Sequence, residues 1–189
     1  MIGAASTCHL SIDPGKKGAA IFWVDGRPVK VISFYHTHHW WVELYWQICI
    51  YRPAYCVKER VHAWAGQGLS STEVLVRNDA AAIAIVEACQ VPTQLVEPTE
   101  WQRALGVPHF HDEPDAKKRR AKRGKWLKEW ALARYAELQE WTEPKPNAHG
   151  KLTKKGAVEK EAADIWAAAA IGAAYPTSLV TSPRTDSTK

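Results

Sequence analysis

The segment CHLSIDPGKKGAAIFWVDGRPVKVISFY, residues 8–35, allows few folds. Residues 7–13 alternate, with Cys8, Leu10 and Ile12 on one face and Thr7, His9, Ser11 and Asp13 on the other, which reads as a strand. Pro14-Gly15 then turns the chain, and residues 18–24 read as a second strand. Asp25-Gly26 is a tight-hairpin signal, and residues 29–35 read as a third strand. The segment therefore predicts an antiparallel meander. It also sets a problem, because Asp13 places a carboxylate at the end of an apolar strand. A buried charge without a partner is very costly.

Beyond the meander, strands and helices alternate. Residues 39–51 read as a helix closed by Arg52-Pro53, and residues 54–60 as a fourth strand. A loop, AWAGQGLSS, leads to Ser71, read as the cap of a helix reaching about Gln90. TQLVEP reads as a fifth strand, followed by a short helix over 100–105 capped by Thr99. A long helix is predicted over 116–141 and a last one over 157–175, stopped by Pro176. This order predicts an α/β fold: a five-stranded mixed sheet, three antiparallel strands and then parallel additions, flanked by helices on both faces. One domain is expected over residues 1–176, with a disordered tail over 177–189.

The chain has 189 residues, a net charge of +5 and ten Trp. A basic, aromatic-rich chain suits a nucleic-acid partner better than an acidic or membrane one. Cys8, Cys49, Cys56 and Cys89 show no CxxC spacing and are read as reduced core residues, consistent with a cytoplasmic setting. No signal peptide is apparent, and the longest apolar run is too short to span a bilayer.

Three further acids echo Asp13. Glu59 ends the fourth strand, and Glu161 and Asp164 stand three residues apart among the alanines of the last helix. Each alone suits a turn or a solvated surface. Together, on these elements, they suggest carboxylates gathered around Mg²⁺ or Mn²⁺, with two ions clamping a phosphodiester.

SIDPGKKG, CVKERVHAW followed by GQGLSS, VEPTEWQRALGV and KEAADIWAAAAIG together resemble the RuvC-like Holliday junction resolvases, in the shortened form found in bacteriophages. The resemblance runs from about Thr7 to Tyr175. It implies a ribonuclease H-like fold, a homodimer, two Mg²⁺ or Mn²⁺ ions per site and cleavage of four-way DNA junctions. Its four catalytic and metal-binding acids fall on Asp13, Glu59, Glu161 and Asp164. The sequence departs at Glu161, where the bacterial enzymes commonly carry Asp. It departs again at His62, where they carry a Phe near junction bases, with Trp64 close by.

From Lys117 to Lys128, eight of twelve residues are basic. Lys117, Lys118, Arg119, Arg120, Lys122 and Arg123 are read as phosphate contacts, with His62 and Trp64 as further DNA contacts. The resemblance implies that Lys117 or Lys118 lies near the active site. HTHHWW and HFHDE lack matching Cys ligands and suit loops better than zinc. The functional expectation is a metal-dependent, structure-selective junction endonuclease. The alternatives are a ribonuclease H-like nuclease on flaps or RNA–DNA hybrids, and a junction-binding protein without catalysis. A homodimer is expected, with the helix after Ser71 as its interface.

Overall fold

A computed structural model describes residues 7–34, 39–62, 68–142 and 163–175, with backbone only at 71, 142, 163 and 164. Strands β1 (Cys8–Asp13), β2 (Ala19–Val24) and β3 (Arg27–Ser33) form the antiparallel meander. Gly18 closes the first turn. A Cβ there would come within 2.5 Å of the Asp13 carbonyl oxygen and of Phe34, so only glycine fits. Asp25 and Gly26 both have positive φ, 50° and 75°, as a type I′ hairpin requires. Pro28 sits on edge strand β3, opposite Trp23 and next to a register shift, where a missing N–H is tolerated.

Helix α1 (Trp40–Tyr51) leads to β4 (Tyr55–Glu59), and α2 (Leu69–Ala88) to β5 (Thr93–Val96). Then follow α3 (Pro98–Ala104), α4 (Ala116–Arg134), α5 (Leu138–Thr142) and α6 (Ala163–Ala174). The sheet order is β3-β2-β1-β4-β5, with β4 parallel to both β1 and β5. It is the mixed five-stranded sheet with flanking helices that the sequence predicts.

Both faces are covered. Leu10, Ile12, Phe22 and Cys56 meet Trp40, Leu44 and Ile48 of α1 and Ala82 and Val86 of α2. Ile21, Trp23 and Val57 meet Trp101 of α3, Leu127 and Trp130 of α4, Leu138 of α5 and the alanine run of α6. Among the described residues, no helix is long and apolar enough to cross a membrane.

The long helix predicted over 116–141 is two. Tyr135 leaves helical geometry, so its ring packs edge-on against Trp23 and fully buried Leu138 reaches the core. Helix α2 begins at Leu69 behind Gly68, two residues before the predicted Ser71 cap. Helix α3 is capped by Glu97 rather than Thr99. Pro98 occupies the first turn, and Glu97 and Glu100 form a reciprocal capping box. Cys8 and Cys56 are buried, and burial pushes their thiols up to about 11 and about 12. Cys49 is exposed, against the core expectation, because it lies on the outer side of α1. The tail and most of the loop before α6 lie outside the described residues.

Candidate active site

Asp13 ends β1 and Glu59 ends β4. The parallel register pairs Ile12 with Lys58, so its next step sets Asp13 opposite Glu59. Alternation puts both on the face that carries α6: Asp13 follows His9 and Ser11, and Glu59 follows Tyr55 and Val57. Adjacent strands lie about 4.8 Å apart. Both acids line one cleft of about 130 Å³ with Gly15, Arg60, His62 and Pro98.

Each carboxylate is held. Asp13 Oδ1 accepts from the Gly15 amide at 2.9 Å, inside the Pro-Gly turn. The turn is tied to α2, where Asn78 Nδ2 donates to the carbonyls of Gly15 (3.2 Å) and Lys16 (3.4 Å). Glu59 Oε2 accepts from Trp101 Nε1 at 2.7 Å. Behind β4, buried Lys58 pairs with Asp79 of α2 and donates to the Glu59 carbonyl at 3.1 Å.

Helix α6 crosses β1 in register. Ser11 Oγ donates to the Ala168 carbonyl at 2.8 Å, and His9 Nε2 lies 3.3 Å from the Gly172 carbonyl. The helix therefore runs opposite to β1. Advancing from Ser11 to Asp13 covers about 6.6 Å, and one turn back from Ala168 covers about 6 Å. That turn ends at Asp164, so the start of α6 lies toward the Asp13 end of β1. Gly172 permits this approach, since a Cβ there would come within 2.3 Å of the Trp23 indole.

Asp13 and Glu59 are hard oxygen donors of the kind a divalent cation takes. Among the described residues, no three metal-ligating side chains gather. The third and fourth expected ligands fall on Glu161, outside the described residues, and on Asp164, described by backbone alone.

His62 lines the cleft, its Nε2 2.6 Å from Glu97 Oε2, while Arg60 Nε meets Glu97 Oε1 at 3.2 Å. Trp64 lies outside the described residues. The basic run opens α4, where Asp115 accepts from the amides of Lys117 and Lys118 at 2.7 and 3.2 Å. Lys117, Lys118 and Arg120 are exposed. Arg119 and Lys122 are partly used within the chain: Arg119 donates to the Glu113 and Pro114 carbonyls, and Lys122 pairs with the Glu113 carboxylate at 3.1 Å. Arg123 is half-buried. The cleft lining includes none of these six cations.

The sequence reading missed Trp101, Glu97 and Asn78 as supports of the site. Asn78 had a signal, being a polar residue within the Ala/Ile/Val-rich α2.

No family model matches the chain, and no curated protein is significantly similar to it. A structure of Thermus thermophilus RuvC superposes with a TM-score of 0.45 at 13% identity, over 89% of this chain and 92% of that one. T. thermophilus RuvC in complex with a Holliday junction substrate gives 0.42 at 12% identity, over 53% of this chain and 71% of that one. Both likenesses are remote.

Proposed function

We propose that this chain is a metal-dependent DNA endonuclease of the cytoplasm that cuts branched substrates, four-way junctions foremost, as a homodimer. One observation carries the reading: two carboxylates end adjacent parallel strands on the face that carries α6. Asp13, Glu59, Glu161 and Asp164 would together hold two Mg²⁺ or Mn²⁺ ions. Such ions, when bound, supply an activated water and neutralise charge on the leaving oxygen of a phosphodiester. The protein's own part is positioning. Gly15 fixes one Asp13 oxygen, Trp101 fixes one Glu59 oxygen, and Asn78 holds the turn that borders the cleft. Glu97 restrains Arg60 and His62 at the rim, where a DNA strand would pass. The cations opening α4 supply phosphate contacts.

Labelled four-way junction, flap, duplex and RNA–DNA hybrid, each with Mg²⁺ and with EDTA, test this. The junction is expected to be cut fastest, and only with Mg²⁺. Preferred cutting of the hybrid points to the ribonuclease H-type alternative. Tight junction binding without cutting points to the non-catalytic one.

A further inference from the structure

Helices α1 and α2 converge at their C-terminal ends. Each end turns through a left-handed residue: Arg52 closes α1 with φ 46°, and Gln90 follows α2 with φ 56°. Pro53 then leads into β4 and Val91 into β5, so both ends lie at the sheet edge opposite Asp13 and Glu59. Between them opens a cavity of about 400 Å³ whose lining includes Tyr45, Cys49, Arg52, Cys89 and Gln90. Cys49 stands one turn after Tyr45 on α1, and Cys89 ends α2 one turn after Ile85. The two thiols are hydrogen-bond partners, and the Tyr45 hydroxyl donates to the Cys49 sulfur. Cys49 is exposed, whereas Cys89 is half-buried. Packing alone would bury both, since cysteine is among the most buried residue types.

We infer that Cys49 and Cys89 are a dithiol modification site, which hydrogen peroxide closes to an intrachain disulfide. Cys49 is the sulfur that an oxidant reaches first. Arg52 puts a cation in the same cavity, a setting that favours a thiolate. The Cys49 thiolate attacks one peroxide oxygen. The O–O bond breaks, Cys49 becomes a sulfenic acid, and the released hydroxide takes up the proton that the thiol gave away. The Cys89 sulfur then attacks the Cys49 sulfur. An S–S bond forms, the S–O bond breaks, and the departing hydroxide leaves with the Cys89 proton as water. Two thiols have lost two electrons and two protons, and one peroxide has become two waters.

The roles follow from the surroundings. Burial, and then the neighbouring Cys49, hold the Cys89 thiol above its ordinary pKa, so it waits as a thiol until the sulfenic acid forms beside it. Cys8 and Cys56 are buried and do not line the cavity. A reducing interior keeps the pair open, and oxidative exposure closes it. The bridge joins two helices that cover one sheet face and closes a loop of about 40 residues, which removes freedom from the unfolded chain. The pair lies away from the cleft, and its chemistry is independent of what the cleft cuts.

Reduced protein treated with hydrogen peroxide at neutral pH, then alkylated and analysed by mass spectrometry, tests this. The wild type is expected to lose two hydrogens in intact mass, to stay a single chain on a non-reducing gel, and to yield a fragment in which Cys49 is linked to Cys89. Its Tm is expected to rise by about 5–15 °C, and dithiothreitol to reverse both changes. Cys49→Ser and Cys89→Ser are each expected to abolish the linked fragment and the rise in Tm. Phenylarsine oxide, which needs two neighbouring thiols, is expected to bridge the reduced wild type one to one and to leave folded Cys49→Ser unbridged. Oxidised wild type that keeps both thiols, that carries sulfinic acid at Cys49 without a bridge, or that links Cys49 to a second chain overturns the site. A linked fragment without a rise in Tm overturns the stabilising effect and leaves the site standing.

Discussion

Trp101 donates its indole N–H to Glu59 Oε2 at 2.7 Å, joining the first full turn of α3 to the end of β4. Trp101 is otherwise buried, so one side chain both packs the core and orients a carboxylate. Trp101→Phe keeps most of the packing and removes the donor. Its expected cost is about 1 kcal/mol in stability. Removing a partner that orients a metal ligand typically weakens metal affinity or activity about 10–100-fold. Cleavage rate against Mg²⁺ concentration, with urea unfolding alongside, checks both. A variant that loses stability but keeps its Mg²⁺ dependence shows that the indole only packs.

Asp13→Asn tests the acid itself. The amide oxygen can still accept from Gly15, so the turn and the fold are expected to stand. Junction binding is expected to stay within about twofold, while cleavage falls by more than the about 10–100-fold expected for an outer-sphere partner. Gel shift and single-turnover cleavage on one preparation separate the two effects. Glu59→Gln is expected to behave alike. Wild-type cutting by Asp13→Asn removes this residue from the site.

The two strand-end acids were legible in the sequence as a pair, because each closes a predicted strand, although either alone suits a turn or a solvated surface. The meander was legible for a similar reason, since Asp25-Gly26 suits only a tight hairpin. The supports were not. Periodicity reads Trp101 as core and says nothing of where its N–H points. Thr99 looked like a cap until Pro98 took the first turn and moved the cap to Glu97. Apolar spacing continued through residue 141, so the break at Tyr135 shows only in the packing of Trp23 and Leu138. The outer side of α1 misled in the same way. Cys49 was read as core from its apolar neighbours, yet it is exposed.

His9 lies between Trp23 and Tyr55, with ring centroids 5.6 and 5.1 Å away and planes within 2°. Burial pushes its pKa down to about 4, against a smaller raising effect of the hydrogen bond to Gly172. The unfolded chain therefore takes up a proton near pH 6.5, while the folded chain resists until about 4. Stability from this group is present above pH 6.5 and lost as pH falls toward 4, by roughly 1.4 kcal/mol per unit and about 3 kcal/mol in all. Urea unfolding between pH 6.5 and 5 reads this window with least interference from carboxylates. His9→Phe keeps a flat ring between its neighbours and is expected to flatten that slope. An unchanged slope assigns it to other groups.

The α4 cations divide by what they already hold, and that division predicts two phenotypes. Arg120 is exposed, whereas Arg119 and Lys122 anchor the Glu113 segment ahead of the helix. Arg120→Ala is expected to weaken junction binding without lowering stability. The log–log salt slope should shrink by about 0.9 if one phosphate contact is lost. Replacing Arg119, Arg120, Lys122 and Arg123 together is expected to flatten the slope further. It should also cost some stability, because Glu113 loses its ion pair and its carbonyl loses a donor. Turnover at saturating protein is expected to survive, since the strand-end acids are untouched. Lys117 and Lys118 are left in place, because the resemblance puts a lysine of this helix start near the chemistry. Gel shifts at several salt concentrations, with cleavage measured at saturation, read each part separately. Unchanged affinity and slope in the quadruple variant make the run a solvated helix face. Normal binding with lost cutting instead places these cations in the chemistry.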